Sequence, residues 1–282
     1  MGIGGRHDPF AGVKQSLAGG GDPPAAPESE RKGKSAGEWV CPVPDDAPSA
    51  RHSHNAHGKP ATAWAYRDGA GRLIHYVCRF DKQDGAKEIL PQTLWRDGAR
   101  LAWHWRAAPP PRPLYGLDRL AAAPAAPVLV VEGEKTADAG ATLFPDFVVM
   151  TWSGGSKAAG KNDWSPLAGR RVVILPDADT PGREAAEAVR KLALAAGADG
   201  VGVVQLPADL PQGWDCADDF PAGFDRLALL ALISAALDAA SAGRLELPYG
   251  YFLEPDALFF GDCVVYKPAV PMLGSTAIRL SE

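Results

Sequence analysis

Two short apolar, β-branched runs, Val128-Leu-Val-Val and Val172-Val-Ile-Leu, each stop on carboxylates, and each precedes a helix-forming segment. Such runs predict buried strands, and their alternation with helices predicts a parallel sheet. The pattern continues as strand 128–131, helix 134–143, strand 147–151, a loop and short helix to about 168, strand 171–176, helix 181–196 and strand 201–206. Pro181 just inside the helix and Gly197 just past it obey the start and stop rules. Segment 224–240, opening Phe-Asp-Arg-Leu-Ala-Leu-Leu-Ala-Leu-Ile, is so apolar that its helix must pack on the sheet or on a partner.

Upstream the period changes from helical to alternating. Residues 64–80 form two β-rich runs around Asp68-Gly-Ala-Gly71, and residues 93–106 place Asp97-Gly98 between aromatic runs, so 61–106 predicts a small antiparallel sheet. Pro109-Pro-Pro-Arg-Pro113 predicts a stiff spacer, and Leu114–Leu120 a short helix leading into the first parallel strand. Residues 1–38 are too polar and Gly/Pro-rich to offset the entropy of folding and predict a disordered linker. Residues 246–282 predict a C-terminal extension with a short strand or two, the possible remnant of a truncated element. The division expected is therefore 1–38 linker, 39–120 β-rich module, 121–245 α/β domain and 246–282 extension.

Charge sharpens that division. Net charge is −5 over 282 residues, but residues 61–120 carry ten Lys/Arg against six Asp/Glu, and residues 121–282 twelve against twenty-one. A basic module beside an acidic core suits nucleic acid, the module neutralising phosphates while the core holds cations. Trp64, Trp95, Trp103 and Trp105 alternate with arginines that include Arg79, Arg96 and Arg106, the mixture of rings and cations that single-stranded nucleic acid binders use. The same tryptophans would equally fill the core of a small sheet. Cys41, Cys78, Cys216 and Cys263 follow no pairing or zinc spacing and read as reduced thiols. His52, His54 and His57 lack a fourth paired ligand for zinc. With no apolar run of about eighteen residues and no signal-peptide pattern, a cytoplasmic protein without a membrane partner is expected.

The chemistry concentrates at the strand ends. Glu132, Asp177 and Asp179 should meet at the C-terminal edge of the sheet, where open α/β sheets place their sites. Crowded carboxylates need counter-charge, and oxygen-only ligation favours Mg²⁺ or Mn²⁺, which take phosphate oxygens as further ligands. The segment Asp215-Cys-Ala-Asp218 offers two more carboxylates, and Lys135, Lys157 and Lys161 lie in loops at the same edge. Against these readings stand plainer ones: Glu132 as a helix-dipole partner, Asp179 as an N-cap, and Asp215 and Asp218 as loop caps.

A strand ending in Glu132-Gly133, followed by a strand ending in Asp177-x-Asp179 with Gly182 three residues on, resembles the toprim family of bacterial-type primases, type IA and II topoisomerases and some nucleases. Pro113-Leu-Tyr-Gly-Leu-Asp-Arg-Leu before the first strand and Gly213-Trp-Asp after the last extend the likeness to the primase-type members found in phage, plasmids and integrated elements. The resemblance implies an α/β fold with a toprim-like four-stranded parallel sheet flanked by helices. It further implies Glu132 as general acid/base or metal ligand, and Asp177 and Asp179 as catalytic metal ligands joined by Asp215 and Asp218; beside bound phosphate stand Gly133 and Gly182 of the motifs and, by their place in loops at that edge, Lys135, Lys157 and Lys161. The expected function is a Mg²⁺-dependent (or Mn²⁺-dependent) primase making RNA primers on a single-stranded DNA template from nucleotides, with a helicase supplied by another chain. The alternatives are a toprim nuclease and a non-catalytic nucleic-acid-binding remnant. No Gly-x-x-x-x-Gly-Lys-Ser/Thr is present.

Overall fold

A computed structural model of the chain describes residues 37–242 and the backbone of three short strands beyond them. The linker expected over 1–38 lies outside the described residues except at its end, where Glu38 opens the first strand. The elements are β1 (Glu38–Trp39), β2 (Thr62–Arg67), β3 (Leu73–Asp81), β4 (Lys87–Asp97), β5 (Arg100–His104), α1 (Leu117–Ala122), β6 (Val128–Val130), α2 (Glu134–Leu143), β7 (Val148–Met150), β8 (Arg171–Ile174), α3 (Thr180–Ala195), β9 (Gly200–Val203) and α4 (Arg226–Ala242). Two 3₁₀ turns, Ser156–Lys161 and Ser165–Leu167, fill the β7–β8 connection. In the C-terminal extension β10 (Tyr251–Glu254), β11 (Ala257–Phe260) and β12 (Cys263–Tyr266) form an antiparallel meander.

β6–β9 make a four-stranded, all-parallel sheet in the order β7-β6-β8-β9. Its strands are buried on both faces because alternate residues enter different cores. Val128 and Val130 pack with Val189 and Ala185 of α3, while Leu129 and Val131 pack with Phe144 and with Leu229 and Ile233 of α4. That is why the strand sequences are uninterrupted apolar runs. α4 presses onto β9 at a glycine: a Cβ on Gly202 would stand 2.1 Å from the Ala236 carbonyl oxygen. The chain passes from β6 to β7 on one side and then to β8 on the other, so a topological switch point falls between β6 and β8.

The upstream strands form an antiparallel sheet, β1-β4-β3-β2, with β5 also on β4. Both expected hairpins are present, β2–β3 and β4–β5. β4 extends further back than the pattern suggests, its first half pairing β3 and its second half pairing β5 and β1. Pro91 sits inside it without breaking it, because β3 alone flanks that half of the strand and one edge needs no donor. One face of this sheet is closed by segment 44–60. His52 bonds Gln92 at 2.8 Å and meets the Tyr76 ring edge-on, and His54, stacked on His57, packs against Trp105 and Phe80. These histidines are packing groups. Trp64 and Trp95 are likewise buried, and Trp95 bonds Thr93 at 2.7 Å beneath the Arg106 guanidinium.

Candidate active site cleft

The open face of the antiparallel sheet and the C-terminal edge of the parallel sheet bound a cleft of about 710 Å³. Register fixes which side chains face it. Trp64, Val77 and Pro91 pair in one row across β2, β3 and β4, Arg79 and Ile89 in the next, and Lys87 opposite Asp81 beyond that. Trp64, Val77, Arg79, Lys87, Ile89 and Pro91 all line the cleft.

The opposite wall carries the acids. Glu132, just beyond β6, is half-buried, with Ser156 beside it favouring its ionised form. Gly133 (φ 83°) turns the chain into α2, its N–H held by Thr151 Oγ1 at 3.0 Å. No side chain caps α2, so Glu132 is not an N-cap. Asp177 lies just beyond β8 on the neighbouring strand. The following Ala178 donates to the Trp214 carbonyl (2.9 Å) and accepts from Gly213 N–H (3.2 Å), which brings the Gly213–Asp219 loop, with Asp215 and Asp218, against the Asp177 turn. Trp214, buried against Phe220 and Phe224 and bonded to Asp219 O at 3.0 Å, anchors that loop.

Gly182 explains the last letter of the acidic motif sterically. A Cβ there would lie 2.6 Å from Asp177 O and 2.9 Å from Asp177 N, so only glycine lets α3 begin against this turn. Asp179 departs from expectation. The Asp177–Asp179 stretch is a tight turn, Asp179 N–H bonding Asp177 O at 2.8 Å, so the alternation of an extended strand does not apply. Asp179 caps α3, accepting from Gly182 N–H at 2.7 Å, and is not among the cleft-lining groups.

Crowding shows in the acidity of the site. Burial first, then Glu132, Asp215 and Asp179, push the Asp177 carboxyl up to about 7, and Lys87 across the cleft opposes the rise. Burial and Asp179 also raise Glu132, against its Ser156 bonds and Lys87. Among the described residues no three His, Cys, Asp or Glu side chains converge closely enough to hold a metal ion as they stand. The donor chemistry does fit a hard divalent cation, being oxygen-only, buried and crowded with like charge, which together hold Asp177 far above its ordinary range.

Of the phosphate-binding candidates, Gly133 and Lys135 line the cleft, Lys135 meeting Asp218 at 3.3 Å. Lys157 and Lys161 stand exposed on the first 3₁₀ turn and do not line it. Of the three arginines, Arg79 lines the cleft, also pairing Asp81 at 2.6 Å. Arg96 instead pairs Glu38 at 3.8 Å, and Arg106 lies on Trp95. Four groups escaped the sequence reading: Lys87, Arg112, His75 and the buried pair in which Tyr66 OH donates to Glu134 Oε1 at 2.7 Å. The parity of β3 and β4 would have found the first and third, had β4 been recognised back to Lys87.

A family model described as a domain of unknown function (DUF6371) matches residues 66–178. A search of curated proteins finds no match. Among solved structures the chain is similar to the zinc-binding and RNA polymerase domains of Aquifex aeolicus primase (21% identity, TM-score 0.44, 65% of this chain and 41% of that one). It is also similar to a DnaG catalytic core (21%, TM-score 0.43, 66% and 56%) and to the RNA polymerase domain of Mycobacterium tuberculosis primase DnaG (19%, TM-score 0.39, 64% and 57%). The chain thus spans between 41 and 57% of the length of these structures. No described helix is long and apolar enough to cross a membrane.

Proposed function

We infer that this chain is a divalent-cation-dependent nucleotidyl transferase core that extends RNA primers on single-stranded DNA. The observation that carries the reading is the opposition of charges. Glu132, Asp177, Asp215 and Asp218 line one wall at a sheet switch point, and Arg79 and Lys87 line the antiparallel-sheet wall. A polyanion that brings its own counter-cation fits between such walls, and a nucleotide triphosphate beside a nucleic acid strand is that polyanion.

Glu132, Asp177 and Asp215 would hold the cation, with Asp218 in support and Asp179 adding negative charge from its place at the start of α3. When bound, Mg²⁺ or Mn²⁺ would polarise the phosphate under attack and neutralise the leaving pyrophosphate. The chain's own groups do the rest. Ser156 favours the ionised form of Glu132, Lys87 and Lys135 supply positive charge over the phosphates, and Arg79 meets the strand backbone. The apolar row Trp64, Val77 and Pro91 excludes water and offers a surface for bases and sugars.

The test is incorporation of labelled ribonucleotides on a single-stranded template with Mg²⁺ or Mn²⁺, using Asp177→Asn as the control. Template-dependent products from the parent and none from the variant are expected. Nicking of supercoiled plasmid without synthesis would assign the same carboxylates to hydrolysis instead, and binding without either activity would make the chain a nucleic-acid-binding module.

A further inference from the structure

The cleft differs in chemistry from one end to the other. Alternate residues of β3 face it, so His75, Val77 and Arg79 follow one another at steps of ~6.7 Å, and Lys87 lies a further step beyond Arg79. Lys87 is the cation that acts on Glu132 and Asp177, so that end belongs to the carboxylates. Toward His75 the cleft is lined by Glu134, whose carboxyl is already bonded to Tyr66.

His75 is 1% exposed, stacked on buried Tyr66 with centroids 4.3 Å apart, and its Nδ1 has no hydrogen-bond partner. Arg112 stands near enough that its charge, added to burial, holds the imidazole down to about 3 and so neutral. Arg112 is itself tightly placed. It lies between prolines, its N–H donates to Lys161 O at 2.8 Å, its carbonyl accepts from Asp163 N–H at 2.7 Å, and its Nε donates to Ala108 O at 3.1 Å. Its Nη1 would be 2.9 Å from a Cβ on Gly154, so this glycine leaves the guanidinium its room. Arg112 forms no salt bridge among the described residues.

A positioned guanidinium without a carboxylate needs acceptors from a ligand. A phosphate would supply them, but the surroundings suit a flatter and less charged occupant. Trp64, Trp152 and Val77 are apolar walls, the neighbouring imidazole is neutral, and the sheet's own cleft-lining cations, Arg79 and Lys87, lie one and two steps along the sheet beyond Val77. Guanine presents O6 and N7 as adjacent acceptors that one guanidinium takes together, whereas adenine places an amino donor beside N7. A ring with a π-face also stacks on tryptophan.

We propose that the His75–Arg112 end of the cleft is a guanine-recognition pocket, in which the base lies along Trp64 and offers O6 and N7 to Arg112. The direction of the nucleotide, phosphates toward Lys87 and the carboxylates, rests on the nucleotidyl-transfer reading; the pocket itself does not.

Calorimetric titration of the full chain without metal, using guanosine monophosphate, adenosine monophosphate and tripolyphosphate as separate probes, tests this. The two nucleotides share the phosphate and differ only in the base. Guanosine monophosphate should bind about tenfold tighter or more. Arg112→Ala should bring it to the adenosine level, and Arg112→Lys, which keeps charge but loses the fork, should do the same. Tripolyphosphate affinity should change less than about twofold in both variants, a shift small against that tenfold preference. Equal binding of the two nucleotides by the parent chain would overturn the proposal, and this comparison needs no variant to fold. So would an Arg112 variant that loses tripolyphosphate as strongly as guanosine monophosphate, which would make the site a phosphate subsite. Guanine preference without ribonucleotide incorporation would keep the pocket and remove the transferase reading; incorporation with equal binding would do the reverse.

Discussion

The two walls of the cleft obtain their charge by different geometric rules. In the parallel sheet, acids follow strand ends: Glu132 after β6 and Asp177 after β8, adjacent because those strands pair directly. In the antiparallel sheet, cations stand along strand faces: Arg79 on β3 and Lys87 on β4, brought to one side by parity and register. A strand end places a group by what lies immediately before it in the chain. A strand face places it by pairing with residues far away, and one step of register would turn it to the other side. The acidic wall is therefore a local property and the basic wall a tertiary one.

The strongest way to break this contrast is at Asp177. Asp177→Asn keeps volume and removes a ligand charge, so any Mg²⁺-dependent synthesis or cleavage should fall at least ~100-fold, within the several kcal/mol that metal charge stabilisation supplies. The fold should survive, and the metal-free variant should be the more stable protein. Asp177 is held up to about 7 when folded against an ordinary 3.8, so the folded state binds the proton more tightly. Its destabilising effect is absent below about pH 4, grows from about 4 to 7 and is complete above about 7. The melting temperature of the variant should exceed the parent's at pH 8 and converge with it toward pH 4. Full activity in the variant would remove the metal site, and equal melting at pH 8 would remove the crowding argument.

Gly182→Ala strikes the same wall through packing. The new methyl would meet Asp177 backbone atoms, which cannot yield as a flexible side chain would. A loss of ~3 kcal/mol or more is expected in denaturant unfolding, with activity reduced as Asp177 is displaced. A loss below about 0.5 kcal/mol, the scale of an ordinary surface change, would mean that the turn has room to shift.

The same contrast explains what was legible in the sequence. Four parallel strands, the α2 and α3 boundaries to within a residue or so and both carboxylate strand ends followed from uninterrupted apolar runs and helix punctuation. Asp179 was legible as an acid but not in its direction, because alternation stops where the strand becomes a turn. Lys87 was hidden because Pro91 reads as a strand breaker, and only the unpaired edge of β4 makes it harmless. Arg96 and Arg106 looked equivalent to Arg79 because charge and aromatic content repeat along the chain, whereas the face each occupies depends on β4's partners. His75 and Glu134 gave no sign, since one reads as a strand polar residue and the other as a first-turn helix acid.

The buried Tyr66–Glu134 bond joins the walls, β2 to the first turn of α2, and offers a smaller test. Tyr66→Phe leaves a buried carboxylate without its donor and should cost ~1–3 kcal/mol. If the two sheets depend on each other, one cooperative transition should shift as a whole. Two separated transitions in the variant would show that each sheet holds its own fold.

The smallest effect discriminates best between the arginines. Binding to single-stranded DNA should weaken with salt at a slope of about −0.7 per phosphate neutralised. If the cleft face is the contact surface, Arg79→Ala and Lys87→Ala should each flatten that slope by somewhat less than one unit. Arg96→Ala and Arg106→Ala should leave it unchanged, because Arg96 points to Glu38 and Arg106 covers Trp95. Arg106→Ala carries a separate signature, since losing a cation from an aromatic face at an exposed position should cost ~0.5–1 kcal/mol of stability without touching the slope. Equal flattening by all four would show that the protein's overall field attracts the strand without a defined track. Flattening by Arg96 alone would put the nucleic acid on the face of the sheet opposite Lys87 and Ile89, away from the carboxylates, and separate binding from the proposed chemistry.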